Sequence, residues 1–136
     1  MKKENLRAVL AATALCLGTM SAHASVSCEI AGQYDGKYEG KDDHGFVRVT
    51  LAQDGTLVGK AQSLRDGAMF AVGGVVASDG KLSTDGAVDS GARFSGRFFG
   101  DLAGGTWTKT VMFDGTLRMI GGSWGVQKTA SIDGCQ

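Results

Sequence analysis

The sequence contains no proline, has no excess of either charge, and carries no long apolar run after residue 20. Its 14 basic and 14 acidic residues give a formal net charge of zero, and the absence of a basic cluster argues against a nucleic-acid-binding or polybasic membrane module. Apolar residues at helical spacing are missing after residue 24, which argues against a helical domain. A length of 136 residues leaves room for one domain. Glycine is abundant instead, with 22 residues.

The start of the chain has the anatomy of a secretory signal peptide. A positively charged beginning precedes an apolar run over residues 8–20, and Ala22 and Ala24 form an Ala-x-Ala cleavage pattern. The run is too short to serve as a stable membrane anchor. We therefore predict a signal peptide over residues 1–24, and a single soluble domain over residues 25–136 that is exported to the bacterial periplasm or beyond.

Two cysteines remain after the predicted cleavage site, Cys28 and Cys135, close to the two ends of the exported chain. An even number of cysteines in a small exported protein indicates a disulfide. The predicted bond closes a loop of about a hundred residues, for which the chain-entropy model gives a stabilisation on the order of 4–5 kcal/mol.

Seven Asp-Gly pairs divide the rest of the chain, and Asp-Gly suits the positive backbone angles of tight hairpin turns. Between them the residues alternate with period two: Val47, Val49 and Leu51 share one face of a segment, and Arg48 and Thr50 share the other. This pattern is typical of half-buried β-strands. It predicts eight strands near residues 34–41, 46–53, 56–63, 69–77, 81–88, 93–99, 105–113 and 116–128.

Eight strands joined by hairpins predict an antiparallel meander, and closure into a small barrel removes its two free edges. A two-sheet β-sandwich is the alternative. Double glycines interrupt several strands, at Gly73-Gly74, Gly104-Gly105 and Gly121-Gly122. Glycine inside a strand marks a bend or a close backbone approach, and a small barrel needs such corners. The other interpretation of these glycines is that they leave space for a ligand.

The layout of residues 32–128 resembles the calycin group, the lipocalin- and avidin-like barrels. The resemblance rests on Gly32-Gln33-Tyr34 in the first strand, on the hairpin meander, and on Arg118 in the last strand. In lipocalins a Gly-x-Trp motif packs against a basic residue that follows the last strand; here Tyr34 takes the place of the tryptophan. The resemblance implies a barrel that binds a ligand or a partner, with Arg118 as the residue that packs against Tyr34.

Aromatic side chains are the candidates for that binding. Trp124 has glycine nearby on both sides, at Gly122 and Gly125, and is expected to be exposed, whereas Trp107 lies in a regular alternating segment and is expected to pack in the core. Adjacent residues of a strand point to opposite faces, so one ring of the pair Phe98-Phe99 must face outwards. The predicted contact residues are Trp124, Tyr34, Tyr38, Phe98 and Phe99.

No motif of a catalytic nucleophile or a metal site is present in the sequence. His44 is the one histidine after residue 24, and its neighbours are typical of an exposed turn. Asp42, Asp43 and His44 are consecutive, which is an awkward arrangement for three ligands of one metal. We therefore expect no catalytic site, no metal and no cofactor.

These features predict an exported, non-enzymatic binding module that holds a small apolar or aromatic ligand or a protein partner. One alternative is an inhibitor or immunity-type protein that blocks a secreted hydrolase with a loop at residues 42–45 or 64–68. Another is a structural protein that assembles at the cell surface by strand addition, because the strands have no proline to protect their edges. The chain is expected to bind no nucleic acid, to have no membrane span, and to form a monomer or a small homo-oligomer.

Overall fold

The computed structural model describes residues 25–83 and 92–135, and within these residues every helix or strand assigned is a β-strand. The strands follow one another around a closed barrel, each antiparallel to the next, and the first strand pairs with the last. This arrangement confirms the predicted all-β meander and its closure, rather than the sandwich. The strands are β1 Gly32–Gly40, β2 Gly45–Leu51, β3 Thr56–Ser63, β4 Met69–Val76, β5 Lys81–Ser83, β6 Ala92–Phe99, β7 Leu102–Phe113 and β8 Thr116–Ala130.

The observed strands agree closely with the sequence pattern, and β7 begins three residues earlier than expected. The fifth strand is described only as far as Ser83, so the remainder of its predicted span, residues 84–88, lies outside the described residues. The predicted signal peptide, residues 1–24, also lies outside them. None of the described segments forms an apolar helix long enough to cross a membrane.

Period-two alternation places one face of each strand inside the barrel, because successive side chains of a strand point to opposite sides. In β2, Val47, Val49 and Leu51 are buried, whereas Phe46 and Arg48 are exposed. Burying this apolar face stabilises the fold by about 25 cal/mol for each square ångström removed from water.

Several Asp-Gly pairs form turns, as the sequence predicts, whereas Asp35-Gly36 lies inside β1 and Asp85-Gly86 lies outside the described residues. Gly55 and Gly67 have positive φ angles of 89° and 76°. Asp114 and Gly115 have φ angles of 49° and 79° and make the two-residue turn between β7 and β8, where both central residues need positive φ. The Asp54 carboxylate accepts a hydrogen bond from the Thr56 amide at 2.9 Å, which closes the turn locally.

Cys28 and Cys135 form the predicted disulfide, with Cα atoms 5.0 Å apart. The bond joins the segment before β1 to the turn after β8, and we call this end of the barrel the disulfide end. The opposite end carries residues 41–44, residues 64–68 and the turn between β7 and β8, and we call it the loop end. The meander places these connections together because every second hairpin turn lies at the same end.

We expect Cys135→Ala to lower the free energy of unfolding by about 2–5 kcal/mol, because the bond restricts a loop of 107 residues in the unfolded chain. The circular dichroism spectrum should remain that of a β-protein while the urea midpoint falls. The double variant with Cys28→Ala controls for effects of a free thiol. A midpoint equal to that of the wild type would contradict this role for the bond.

Candidate functional site

Aromatic rings fill the barrel interior. Tyr34 and Tyr38 are fully buried, and Phe98 is 1% exposed. The rings meet mostly edge to face: the centroids of Tyr38 and Trp107 are 5.0 Å apart, and so are those of Tyr34 and Phe98. Three of the predicted contact residues therefore contribute to the core and present no ring to a partner outside the barrel.

Trp124 is 7% exposed, so the prediction that its ring is exposed is wrong. Trp124 is paired in register with Gly105 of β7, and Gly105 is paired in turn with Gly96 of β6. All three positions face the barrel interior. The indole Nε1 donates a hydrogen bond to the carbonyl oxygen of Ser95 at 2.9 Å, so the ring spans β7 and reaches β6. The glycines that matter to this ring lie on neighbouring strands, where they provide a slot.

Trp107 is a packing residue, as predicted, and it uses the same arrangement. Its register partner on β8 is Gly122, which pairs in turn with Gly40 of β1. The indole Nε1 donates to the carbonyl oxygen of Glu39 at 3.0 Å, and a Cβ atom at Gly40 would lie 3.0 Å from the ring. At these positions the space left by glycine is occupied by the protein's own indole rings.

Tyr34 lies towards the disulfide end, and the basic residue opposite it in register is Lys128 rather than Arg118. The Tyr34 hydroxyl donates to the carbonyl oxygen of Ile30 at 2.6 Å, and burial raises the pKa of Tyr34 to about 12. The Lys128 ammonium donates to the carbonyl oxygen of Glu29 at 2.5 Å. The expected packing of Arg118 against Tyr34 is wrong, because Arg118 lies at the loop end.

A buried carboxylate organises the loop end. Asp43 is 2% exposed, although its sequence neighbours are typical of an exposed turn. Its oxygens accept hydrogen bonds from the hydroxyls of Ser63 at 2.6 Å and Tyr38 at 3.1 Å, and from the backbone amide of His44 at 2.9 Å. The Lys109 ammonium lies 2.7 Å away and forms an ion pair. One side chain therefore connects β1, β3 and β7.

The same contacts decide the ionisation of Asp43. Burial alone raises the pKa of a carboxyl group, but hydrogen bonds from Lys109 and Ser63, together with the lysine charge, have the larger combined effect, and the pKa of Asp43 is lowered. Lys109 also lies over the ring of Phe70, with Nζ 4.3 Å from the centroid. The Asp43 carboxylate is therefore charged at neutral pH, and its oxygens are engaged by groups of the protein itself.

The two loops that the inhibitor hypothesis singles out lie side by side at this end. The Leu64 amide donates to the carbonyl oxygen of His44 at 2.8 Å, and the Arg65 guanidinium donates to the carbonyl oxygen of Asp42 at 3.2 Å. The side chain of His44 is exposed, as the sequence predicts. In the described part of the chain, no group of three histidine, cysteine or acidic side chains is placed to hold a metal ion.

The hairpin of β7 and β8 extends beyond the described parts of its two neighbouring strands. The described pairing of β6 with β7 reaches Lys109, and the pairing of β1 with β8 ends at Gly122. Residues 110–113 and 116–121 therefore form a two-stranded ribbon that, among the described residues, pairs only with itself. We call this segment the terminal ribbon.

One face of the terminal ribbon turns inwards. Phe113 and Val111 are partly buried and pack against the core. The guanidinium carbon of Arg65 lies 5.2 Å from the Phe113 ring centroid, and that of Arg118 lies 4.7 Å from it. Arg118 also forms an ion pair with Asp42 at 3.3 Å. These contacts hold the ribbon against both loops.

The other face of the terminal ribbon is apolar and exposed. Met112 is 63% exposed, Leu117 66% and Met119 70%. Antiparallel strands with one solvated face normally carry polar residues on that face, as β2 does with Arg48. Of the ten large apolar side chains exposed in the described residues, six lie at the loop end: Phe46, Leu64, Met69, Met112, Leu117 and Met119.

Two other apolar features lie on the outer wall. A groove of about 700 Å³ is bordered by Phe46 and Met69 of the loop end and by Val58. At the disulfide end, Phe99 is 62% exposed and lies opposite Leu102 in register. The outward orientation expected for one ring of the Phe98-Phe99 pair is therefore confirmed, and the outward ring is Phe99.

Comparison of the chain with family models, with curated proteins and with solved structures found no match.

Both tryptophans should behave as shielded core residues. In the single variants Trp107→Phe and Trp124→Phe, the remaining indole should emit in the blue and resist quenching by iodide. Trp124→Ala should cost about 3–5 kcal/mol of unfolding free energy, as is usual for a core tryptophan. Red-shifted, readily quenched emission from Trp124 would contradict its burial between β6 and β8.

Asp43 should make stability depend on pH. Because its pKa is lowered in the folded protein, its contribution is complete above the unfolded value of about 3.9 and is lost as the pH falls through the folded pKa. Asp43→Asn should cost about 3–5 kcal/mol at pH 7, because it leaves the Lys109 charge without its partner. Urea unfolding from pH 7 to pH 2 should show the difference between wild type and variant shrinking with acidity. A constant difference would refute this assignment.

Proposed function

We propose that this protein is an exported, non-catalytic binding module that docks another protein through its loop end. The observation that carries the proposal is the exposed apolar face of the terminal ribbon, formed by Met112, Leu117 and Met119. A contiguous exposed apolar surface on a protein of this size is typical of an interaction site. The disulfide between Cys28 and Cys135 fits an oxidising compartment such as the periplasm or the extracellular space.

The filled interior favours a protein partner over a small ligand held inside the barrel. Fully buried rings such as Tyr38, and the tryptophans in their glycine slots, occupy the space along the barrel axis. The apolar surface at the loop end lies on the outside instead, where a protein can cover it. Hydrophobic burial of this kind is the main favourable term in protein association.

Contacts beneath the apolar face support its role as a docking platform. The Asp43 network ties the 41–44 loop to β3 and β7, and Phe113 is held by Arg65 and Arg118. A surface held in one conformation before binding loses less conformational entropy when a partner docks. The terminal ribbon is therefore preorganised for contact.

A second candidate is the blocking of a secreted hydrolase, which is a particular form of the same docking. The observation that favours it is the hydrogen-bonded juxtaposition of residues 42–45 and 64–68 next to the terminal ribbon. Two adjacent loops beside a hairpin offer three chain segments that could enter an active-site cleft together.

A photoreactive amino acid placed at Leu117 should form covalent adducts with a partner protein in cells of the natural host. The matched control is the same amino acid at Gln127, which is also exposed on β8 but lies near the disulfide end. Adducts should form at the first position and not at the second. Equal adduct formation at both positions, or none at Leu117, would contradict docking through the loop end.

The variant Met112→Thr/Met119→Thr sharpens this test. It replaces two exposed apolar side chains with a polar residue that suits strands, so the unfolding free energy should change by less than about 1 kcal/mol. Adduct yield at Leu117 should fall about tenfold, as is typical when residues at the centre of an interface are removed.

A further inference from the structure

The two cysteines of the disulfide lie in different surroundings. Cys28 is exposed, in the segment before β1, whereas Cys135 is 2% exposed and belongs to the hydrophobic core together with Ile30 and Ala31. In thiol–disulfide exchange a thiolate must reach the sulfur that it attacks, so the rate depends on access to that sulfur. A reagent in solution can therefore reach the bond at Cys28 and is kept from Cys135 by the packed core.

The groups around Cys28 also suit a thiolate. The side-chain amide of Gln53 donates a hydrogen bond to the Cys28 Sγ at 3.3 Å. The backbone carbonyl of Gln53 accepts a hydrogen bond from the Val26 amide at 2.8 Å, which holds the two chain segments side by side. The Lys128 ammonium donates to the carbonyl oxygen of Cys28 at 3.5 Å, so a positive charge lies beside this residue. Donors and positive charges of this kind stabilise a thiolate, which is the nucleophilic form of cysteine.

We infer that Cys28 is the exchange site of the disulfide: it attacks the external disulfide that oxidises the protein, and Cys135 resolves the product. This assignment goes beyond docking at the loop end and does not depend on it. The co-reactant belongs to the class of disulfides, either that of a small thiol or that of an oxidoreductase.

The oxidation proceeds in two displacements at sulfur. First, the Cys28 thiolate attacks one sulfur of the external disulfide, an S–S bond forms between them, and the other external sulfur leaves as a thiolate. The Cys135 thiol then gives its proton to solvent and attacks the Cys28 Sγ, and the second external sulfur leaves as a thiolate. The two cysteines lose two electrons, and the external disulfide gains them.

Reduction follows the same path backwards. An external thiolate attacks the Cys28 Sγ, and the Cys135 sulfur leaves with the electron pair of the broken bond. Because the Cα atoms of the two cysteines are 5.0 Å apart in the fold, the released Cys135 sulfur stays within reach of Cys28. Mixed disulfides of this protein should therefore carry the external group on Cys28.

The single variants Cys135→Ser and Cys28→Ser test the assignment, with glutathione disulfide as the probe. Under native conditions the protein that keeps Cys28 should gain one glutathione at least about tenfold faster, by intact mass, than the protein that keeps Cys135. Blue tryptophan emission checks that both variants are folded. In concentrated urea the two rates should become equal, because unfolding exposes both thiols. Equal rates in the folded variants, or faster capture by Cys135, would overturn the inference.

A purified thiol oxidoreductase in its disulfide form, used in place of glutathione disulfide, distinguishes the two sources of the co-reactant. Faster capture by Cys28 from the enzyme identifies a protein co-reactant, and faster capture from glutathione disulfide identifies a small one. Capture at Cys135 from either source would contradict the assignment.

The role of Gln53 has its own test in the Cys135→Ser background. Gln53→Leu removes the donor to the Cys28 Sγ and should slow capture about threefold, as expected for the loss of one hydrogen bond. Gln62→Leu is the matched control, because Gln62 is also an exposed glutamine but lies at the loop end. Equal rates for the two variants would refute the role of Gln53.

The wild-type protein provides a test that needs no variant to fold. Disulfide-bonded protein is treated with reduced glutathione, and free thiols are then blocked with N-ethylmaleimide. Peptide mapping should find glutathione on Cys28 and the maleimide on Cys135. Glutathione on Cys135, or an even distribution between the two cysteines, would overturn the inference and leave the proposed function standing.

Discussion

The narrowness of the barrel is the constraint on which the rest of the structure depends. Two indole rings must fit inside it, and each does so by spanning a neighbouring strand at a glycine: Trp124 at Gly105, and Trp107 at Gly122. Each indole N–H then reaches a backbone carbonyl two strands away, which satisfies a donor that would be costly to bury unpaired. The glycines beside the two rings thus have a packing reason, and because the rings fill the interior, the candidate site lies on the outer surface.

Core and candidate site are connected through the loop end. Tyr38 contacts the Trp107 ring on one side and donates its hydroxyl to Asp43 on the other, so the aromatic core and the buried carboxylate share a residue. Lys109 completes the network from β7, directly before the terminal ribbon begins. The exposed apolar face of the ribbon is therefore presented by a hairpin whose base is fixed by the core, which is how a small barrel can hold a projecting surface in a defined place.

Sequence reasoning about the candidate site succeeded where a side chain's orientation follows from strand alternation, and failed where it depends on another strand. Phe99 faces outwards because it follows the inward Phe98, and this was predictable. Trp124 was misjudged because Gly122 and Gly125 are its neighbours along the chain, whereas its cover comes from β6 and β7. The burial of Asp43 had no local signal, since three of its four partners come from elsewhere in the chain.

The sequence by itself determined the strands, the turns and the disulfide. Period-two alternation and the backbone freedom of Asp-Gly turns are local properties, and the cysteines after residue 24 are an even pair. Only the tertiary structure decided which large apolar side chains stay exposed. Closure of the barrel buried the tryptophans, assembled the Asp43 network from three strands, and left Met112 and Met119 exposed on a ribbon that extends past the end of β1 and the described start of β6. Those outcomes depend on cross-strand register, which brings together residues that are distant in sequence.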